Sequence, residues 1–103
     1  MKTMTRRTTL SSLEVCALAN CTYRQLDYWT RQRWITATPQ TPGSGKERRY
    51  TRKEAKRVAL MAQIVDAGIP PLDAHMLTLR GEYDANGVFR ASLFGHVYVE
   101  VFP

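Results

Sequence analysis

Thr22-Tyr23-Arg24-Gln25-Leu26-Asp27-Tyr28-Trp29-Thr30-Arg31 is the stretch that decides how the chain is read. Thr22 is a good N-cap, because its hydroxyl can accept from an orphan N–H of a first helical turn. Leu26 and Trp29 lie three apart and share one face of the helix that follows. Arg24, Asp27, Tyr28 and Arg31 fall around the rest. A helix this short buries little by itself. Its surplus of cationic and aromatic polar side chains needs a reason beyond folding.

Upstream, Ser11-Ser12-Leu13-Glu14 reads as a capping box with Ser11 as N-cap. A first helix follows to about residue 19, with Val15, Cys16, Leu18 and Ala19 as its apolar side. Asn20 is a left-handed stop. Two short helices with so tight a connection make a helix-turn-helix. Downstream, the second helix fades near Gln32 or Arg33. Trp34-Ile35-Thr36-Ala37-Thr38 is β-branched and aromatic, which predicts a short strand. Pro39, Pro42, Gly43 and Gly45 make residues 39–47 a loop. Lys46, Arg48 and Arg49 cluster at its far side, and Tyr50 ends it. A strand, a Gly-rich basic loop and a returning strand form a β-hairpin wing.

Thr51-Arg52-Lys53-Glu54 is a second capping box, opening a third helix that Gly68 stops. Its core face is Ala55, Val58, Met61, Ala62 and Val65. Pro70-Pro71 opens a fourth helix over about residues 72–79, and Gly81 ends it. Asp84-Ala85-Asn86-Gly87 is a turn signal. Residues 88–94 and 97–102 are strand-like runs around Gly95-His96, with a short further strand at Glu82-Tyr83. Val97, Val99 and Val101 share one face of this terminal hairpin. Such a hairpin needs a partner surface: the helices, or a second copy at its edge.

The 103 residues suit one small domain, read as a flexible basic arm (1–9), a helical region (10–80) and the hairpin (81–103), a dimerisation element. Net charge is +6, unevenly placed. Residues 1–57 hold 13 Lys and Arg against 4 Asp and Glu, a net of +9, and residues 58–103 hold 2 against 5, a net of −3. A basic half joined to a mildly acidic half points to one polyanion-facing surface. No apolar run reaches ~18 residues, so no membrane span is expected, and the N-terminus is not a signal peptide. The expected location is the cytoplasm, at the nucleoid. Cys16 and Cys21 lack metal-ligand spacing and read as buried small hydrophobes. His75 and His96 sit in different elements, and no nucleophile–base or paired-carboxylate spacing recurs. The chain is therefore expected to be no enzyme and to hold no cofactor or metal.

Glu14-Val15-Cys16-Ala17-Leu18-Ala19-Asn20-Cys21-Thr22-Tyr23-Arg24-Gln25-Leu26-Asp27-Tyr28-Trp29 resembles the opening of a MerR-type winged-helix DNA-binding domain. Arg48-Arg49-Tyr50-Thr51 resembles the end of its wing, and Ala67-Gly68-Ile69 the end of its third helix. The resemblance covers about residues 10–80. Excisionases of phages and mobile elements are similar to the same domain. The resemblance implies a second helix in the major groove with the wing along the flanking backbone. It also implies that Thr22, Arg24 and Tyr28 contact DNA, that Arg48 is the wing arginine and that Tyr50 closes the wing. Asp27 stands where the family usually has Arg, and Arg33 where a Gly usually ends the second helix. The family's long dimerising helix, effector domain and sensor cysteines are not matched, so a metal- or drug-responsive switch is not expected.

The fold expected is thus mainly α: a winged helix-turn-helix of about four helices plus the wing, with a C-terminal β-hairpin. The expected partner is double-stranded DNA. Arg24 suits bidentate bonding to guanine O6 and N7, although an exposed pairing with Asp27 or Tyr28 also accounts for it. Gln25 can reach adenine or simply face solvent. Tyr23 suits a thymine methyl or sugar, and Thr22, Tyr28 and Arg31 suit phosphate. Lys46, Arg48 and Arg49 suit phosphate or minor-groove contact. Asp27 pairs with Arg24 or Arg31, or accepts from a cytosine amino group. A regulator or an excisionase fits these features equally, with a homodimer or cooperative oligomer, an integrase or RNA polymerase as protein partners. A protein-interaction module whose wing binds an acidic protein is the reading from another class.

Overall fold

A computed structural model describes residues 9–40, 47–95 and 97–103. Its elements in chain order are β1 (Thr9–Ser11), α1 (Ser12–Ala19), α2 (Tyr23–Arg31), β2 (Arg49–Thr51), α3 (Arg52–Asp66), α4 (Pro71–Arg80), β3 (Glu82–Tyr83), β4 (Phe89–Leu93) and β5 (Val97–Val101). The chain divides into two compact units, Met1–Val58 and Ala59–Pro103, with the division inside α3.

In the first unit, local chemistry sets the helix boundaries. Ser11 Oγ accepts from the Glu14 N–H at 3.2 Å, and the Glu14 carboxylate accepts from the Ser11 N–H at 2.8 Å. Asn20 is left-handed at φ 55° and ψ 47°, which ends α1 as its short polar side chain allows. The core gathers Leu10, Val15, Ala19, Leu26, Trp29, Ile35, Ala37, Tyr50, Ala55 and Val58. Leu18, expected on the apolar side of α1, is 66% exposed.

The strand expected at residues 34–38 does not form. Its backbone groups are already engaged. The Trp34 N–H donates to the Trp29 carbonyl at 3.1 Å and the Arg33 N–H to the Thr30 carbonyl at 3.0 Å, the two bonds of a Schellman motif closing α2. The Thr36 N–H donates to Glu54 Oε1, and the Ala37 N–H to Gln40 Oε1. Gln40 Nε2 donates in turn to the Thr30 and Ile35 carbonyls. What remains of the strand is one bridge, Thr38 to Arg49, with N–O distances of 2.9 and 2.8 Å. The partner of β2 is instead β1, antiparallel in the register Leu10 to Tyr50. Thr9, assigned to a flexible arm, is therefore sheet. Residues 1–8 of that arm lie outside the described residues, as do Gly43 and Gly45 of the wing tip.

Arg33 occupies the left-handed position of the Schellman motif at φ 65°. A side chain there crowds the backbone by about 1–2 kcal/mol, partly offset in a Gly variant by the greater entropy of its unfolded chain. Arg33→Gly is expected to stabilise the protein by about 0.5–1 kcal/mol. Equal or lower stability in chemical denaturation would contradict this account of the turn.

In the second unit, β3, β4 and β5 form an antiparallel sheet in that order, with Phe89 opposite Val101 and Leu93 opposite Val97. Phe89, Ala91 and Leu93 point inward and are buried, while Arg90 and Ser92 alternate outward. Ala74 and Leu77 of α4 are buried in the same unit, and the hairpin packs back on helix rather than standing free. Arg90 bridges the sheet surface, bonding Glu100 on β5 at 2.8 Å and also Asp84. Gly81, expected to end α4, does so with φ −91° and ψ 173°, an extended backbone. Its need for glycine is spatial: an added Cβ would lie 2.6 Å from the Arg90 carbonyl oxygen and 2.7 Å from Ala91 Cβ. His96 lies outside the described residues.

Candidate functional site

α2 has two opposite sides set by the helical period. Leu26, Trp29 and Thr30, at i, i+3 and i+4, are at most 1% exposed. Arg24, Tyr28 and Arg31, at i, i+4 and i+7, lie on the other side and are exposed. Tyr23 is 56% exposed and Tyr28 50%. A short helix holding this many solvent-facing cationic and aromatic groups is anchored mostly by tertiary burial of its other side.

Thr22 caps α2 as expected: Oγ1 accepts from the Gln25 N–H at 3.0 Å. Gln25 completes a capping box, its Oε1 accepting from the Thr22 N–H at 3.0 Å. That engagement accounts for Gln25 without an adenine contact. Arg24 has neither a hydrogen bond nor an ion pair among the described residues, so its guanidinium is not committed to Asp27. Tyr28 stands edge-on to Trp34, with ring centroids 5.8 Å apart and planes at 88°. Trp34 is only half-buried and braces Tyr28 from the surface.

Asp27 is where the geometry departs most from a plain basic face. Its Oδ2 accepts from Arg31 Nε at 2.9 Å and its Oδ1 from Arg48 Nη1 at 2.7 Å. The Arg31 bond above all holds the Asp27 carboxyl below the ordinary aspartate range; burial opposes it, and the Arg48 bond adds to the lowering. The Arg48 side chain is only 3% exposed, whereas that of Arg31 is 59% exposed. Arg48 Nε and Nη2 are buried without a hydrogen-bond partner among the described residues. Arg48, expected on the outside of the wing, is thus an interior cation whose charge Asp27 balances. Its position follows from neighbours: β2 begins at Arg49, and Tyr50 beside it is fully buried.

A second bond joins α2 to β2. Tyr50 Oη and Thr30 Oγ1 lie 3.0 Å apart, both buried, and Thr30 Oγ1 donates to the Leu26 carbonyl at 2.7 Å. α2 and the segment Arg48–Tyr50 are therefore joined by one ion pair and one hydroxyl pair. The i, i+4 spacing makes the Asp27–Arg31 pair legible in sequence. Nothing local marks Asp27–Arg48 or Thr30–Tyr50, which are separated by 21 and 20 residues. Arg49 is half-buried and donates from Nε and Nη2 to Thr9, at 3.3 and 3.2 Å, tying down β1. Lys46 lies outside the described residues.

Cys16 and Cys21 flank the turn between α1 and α2, and both are half-buried rather than core. Burial, reinforced by Cys16, pushes the Cys21 thiol up to about 12. Burial also raises Cys16. Neither is a poised thiolate at neutral pH. Among the described residues no group of three or more His, Cys, Asp or Glu is placed to hold a metal ion. No described helix is long and apolar enough to cross a membrane.

Comparison with known proteins bears on the same region. Residues 10–80 match the family described as MerR HTH family regulatory protein. An uncharacterised HTH-type transcriptional regulator of Mycobacterium bovis is 36% identical over 55 residues, covering 52% of this chain and 24% of the relative. A counterpart in Mycobacterium tuberculosis is 36% identical over the same length, with the same coverage. The chain thus spans about a quarter of the length of the curated relatives it matches, 24%. No solved structure matches the chain.

Proposed function

Because the chain belongs to the MerR helix-turn-helix regulatory family, we propose that it binds double-stranded DNA at a defined sequence and acts there as a small transcriptional regulator. The observation that carries this reading is the exposed face of α2. Arg24 projects there uncommitted, between Thr22 and Tyr23 on one side and Tyr28 on the other, while Leu26 and Trp29 fix the helix from behind. In this reading α2 lies in the major groove. Arg24 bonds guanine O6 and N7, and Thr22, Tyr23 and Tyr28 contact backbone or sugar. Lys46 and Arg49 serve the flanking phosphates. Arg48 supports the surface from inside rather than touching DNA.

One domain of this size buries limited surface on DNA, so the reading takes two copies on a paired site. The outer edge of β5 has no strand beside it among the described residues and is the seam we assign to the second copy.

The test is selection from a random-sequence duplex pool, followed by anisotropy titration of the selected duplex over a salt series. With ~6 phosphates neutralised, log affinity should fall against log salt with a slope of about −5. Arg24→Ala should weaken binding to the selected duplex by roughly 10–100-fold, the worth of one bidentate base contact, and weaken random duplex far less. Equal loss on both duplexes would remove Arg24 from base reading. One chain per selected duplex would reject the paired site.

A further inference from the structure

Asp27 places a carboxylate on the exposed side of the helix assigned to the groove, flanked by Arg24, Tyr28 and Arg31 at i−3, i+1 and i+4. An acid there repels phosphate. A free surface aspartate could turn away or be neutralised by a partner's approach. This one cannot do so cheaply. Its Oδ1 balances a guanidinium that is 3% exposed and has two further buried donors without partners among the described residues. Removing Asp27 from Arg48 would leave an interior cation with no counter-charge. The carboxylate is therefore a fixture, with its side chain still 25% open to solvent. Its second oxygen holds Arg31, whose own side chain is 59% exposed. Arg31 meets a phosphate through its Nη groups only with that carboxylate still held against its Nε, so the pair brings no net charge to the contact.

We propose that Asp27 is a specificity-determining residue: anchored by buried Arg48, it cancels the charge of Arg31 and so subtracts one positive charge from the binding face. Sequence-independent affinity is thereby lowered, while base reading by Arg24 is untouched. Discrimination between sites improves because the loss weighs most on random duplex, whose binding rests almost wholly on phosphate contact, and less on a correct site, whose complex is fixed by base contacts. The inference rests on the DNA-binding reading above.

The experiment compares the wild type with Asp27→Asn and with Asp27→Asn/Arg48→Met, on the selected duplex and on a random-sequence duplex of equal length. The double variant removes the buried cation along with its counter-ion, so it keeps the test valid if Asp27→Asn alone fails to fold. In either variant the slope of log affinity against log salt should steepen by about one unit, and random-duplex affinity should rise roughly tenfold at moderate salt. The preference for the selected duplex should shrink. Adding Arg31→Gln should return the slope toward the wild-type value. A merely structural role for Asp27 would weaken both duplexes together and leave the slope unchanged, and that result overturns the inference. A wild type that binds neither duplex overturns the DNA-binding reading with it. Wild-type binding with an unchanged variant slope overturns this inference alone.

Discussion

Trp29→Ala should lower the unfolding free energy by about 3–5 kcal/mol, the range for deleting a large aromatic from a packed core. Trp29 is 1% exposed, and its carbonyl also accepts from the Trp34 and Ile35 N–H groups that close α2. Its loss opens a cavity under the helix and unseats the exposed face at the same time. Trp34→Ala should cost about 1–2 kcal/mol, since Trp34 is half-buried and loses chiefly its edge-on contact with Tyr28. Urea denaturation followed by circular dichroism checks both. Equal losses in the two variants would mean that the core is not where the structure has it. On DNA the order should follow the same logic, with Trp29→Ala losing binding through unfolding and Trp34→Ala keeping the fold but losing a brace on Tyr28.

The second large effect is expected at Gly81. At φ −91° any residue is conformationally tolerated, so backbone strain is not the issue. A Cβ at this position would sit 2.6 Å from the Arg90 carbonyl oxygen, and beside Phe89 Cζ as well. A backbone oxygen in a sheet cannot swing aside, so Gly81→Ala should cost about 3 kcal/mol by forcing α4 and β4 apart. Gly68 is the control. It has φ +102° and nothing within 4 Å of an added Cβ, so Gly68→Ala should cost only about 1 kcal/mol, through the left-handed backbone. If Gly81→Ala proved as mild as Gly68→Ala in thermal denaturation, the close approach of α4 and β4 would be refuted. These two glycines look alike in sequence, each following a helix. Only the position of β4 separates them.

Asp27 joins these observations to function. In a basic recognition surface its carboxylate is an anomaly as long as only neighbouring residues are considered. Arg48 makes it intelligible, because an interior guanidinium requires a fixed counter-charge. The pairing also connects α2 to the residue just before β2, so a shift of either element is felt by the other. Thr30 and Tyr50 add an uncharged bond across the same boundary, 3.0 Å long. The exposed side of α2 is thus held in place by two contacts lying beneath it.

The amino-acid sequence by itself determined the features that depend on a few adjacent residues. The Ser11–Glu14 box, the Thr22 cap, the Asn20 stop and the proline start of α4 each satisfy backbone groups within one turn, so their energetics are local. The alternation of residues 89–93 and 97–101 likewise follows from the strand period, and the expected hairpin forms there. The exposed side of α2 was legible in the same way, through the helical period.

Only the tertiary structure decided features that depend on which distant groups arrive first. Residues 34–38 have strand-like side chains, yet Trp29, Thr30, Gln40 and Glu54 take their backbone bonds, and β1 takes the place beside β2. Arg48 and Arg49 are adjacent and chemically identical. One is buried against Asp27, and the other reaches Thr9 at the edge. A charged residue's identity fixes what it can bond, but its burial is set by the elements packed around it. The opening stretch therefore announced a helix with a basic face. Which of its charges is tied to the interior was settled by a residue 21 positions further along the chain.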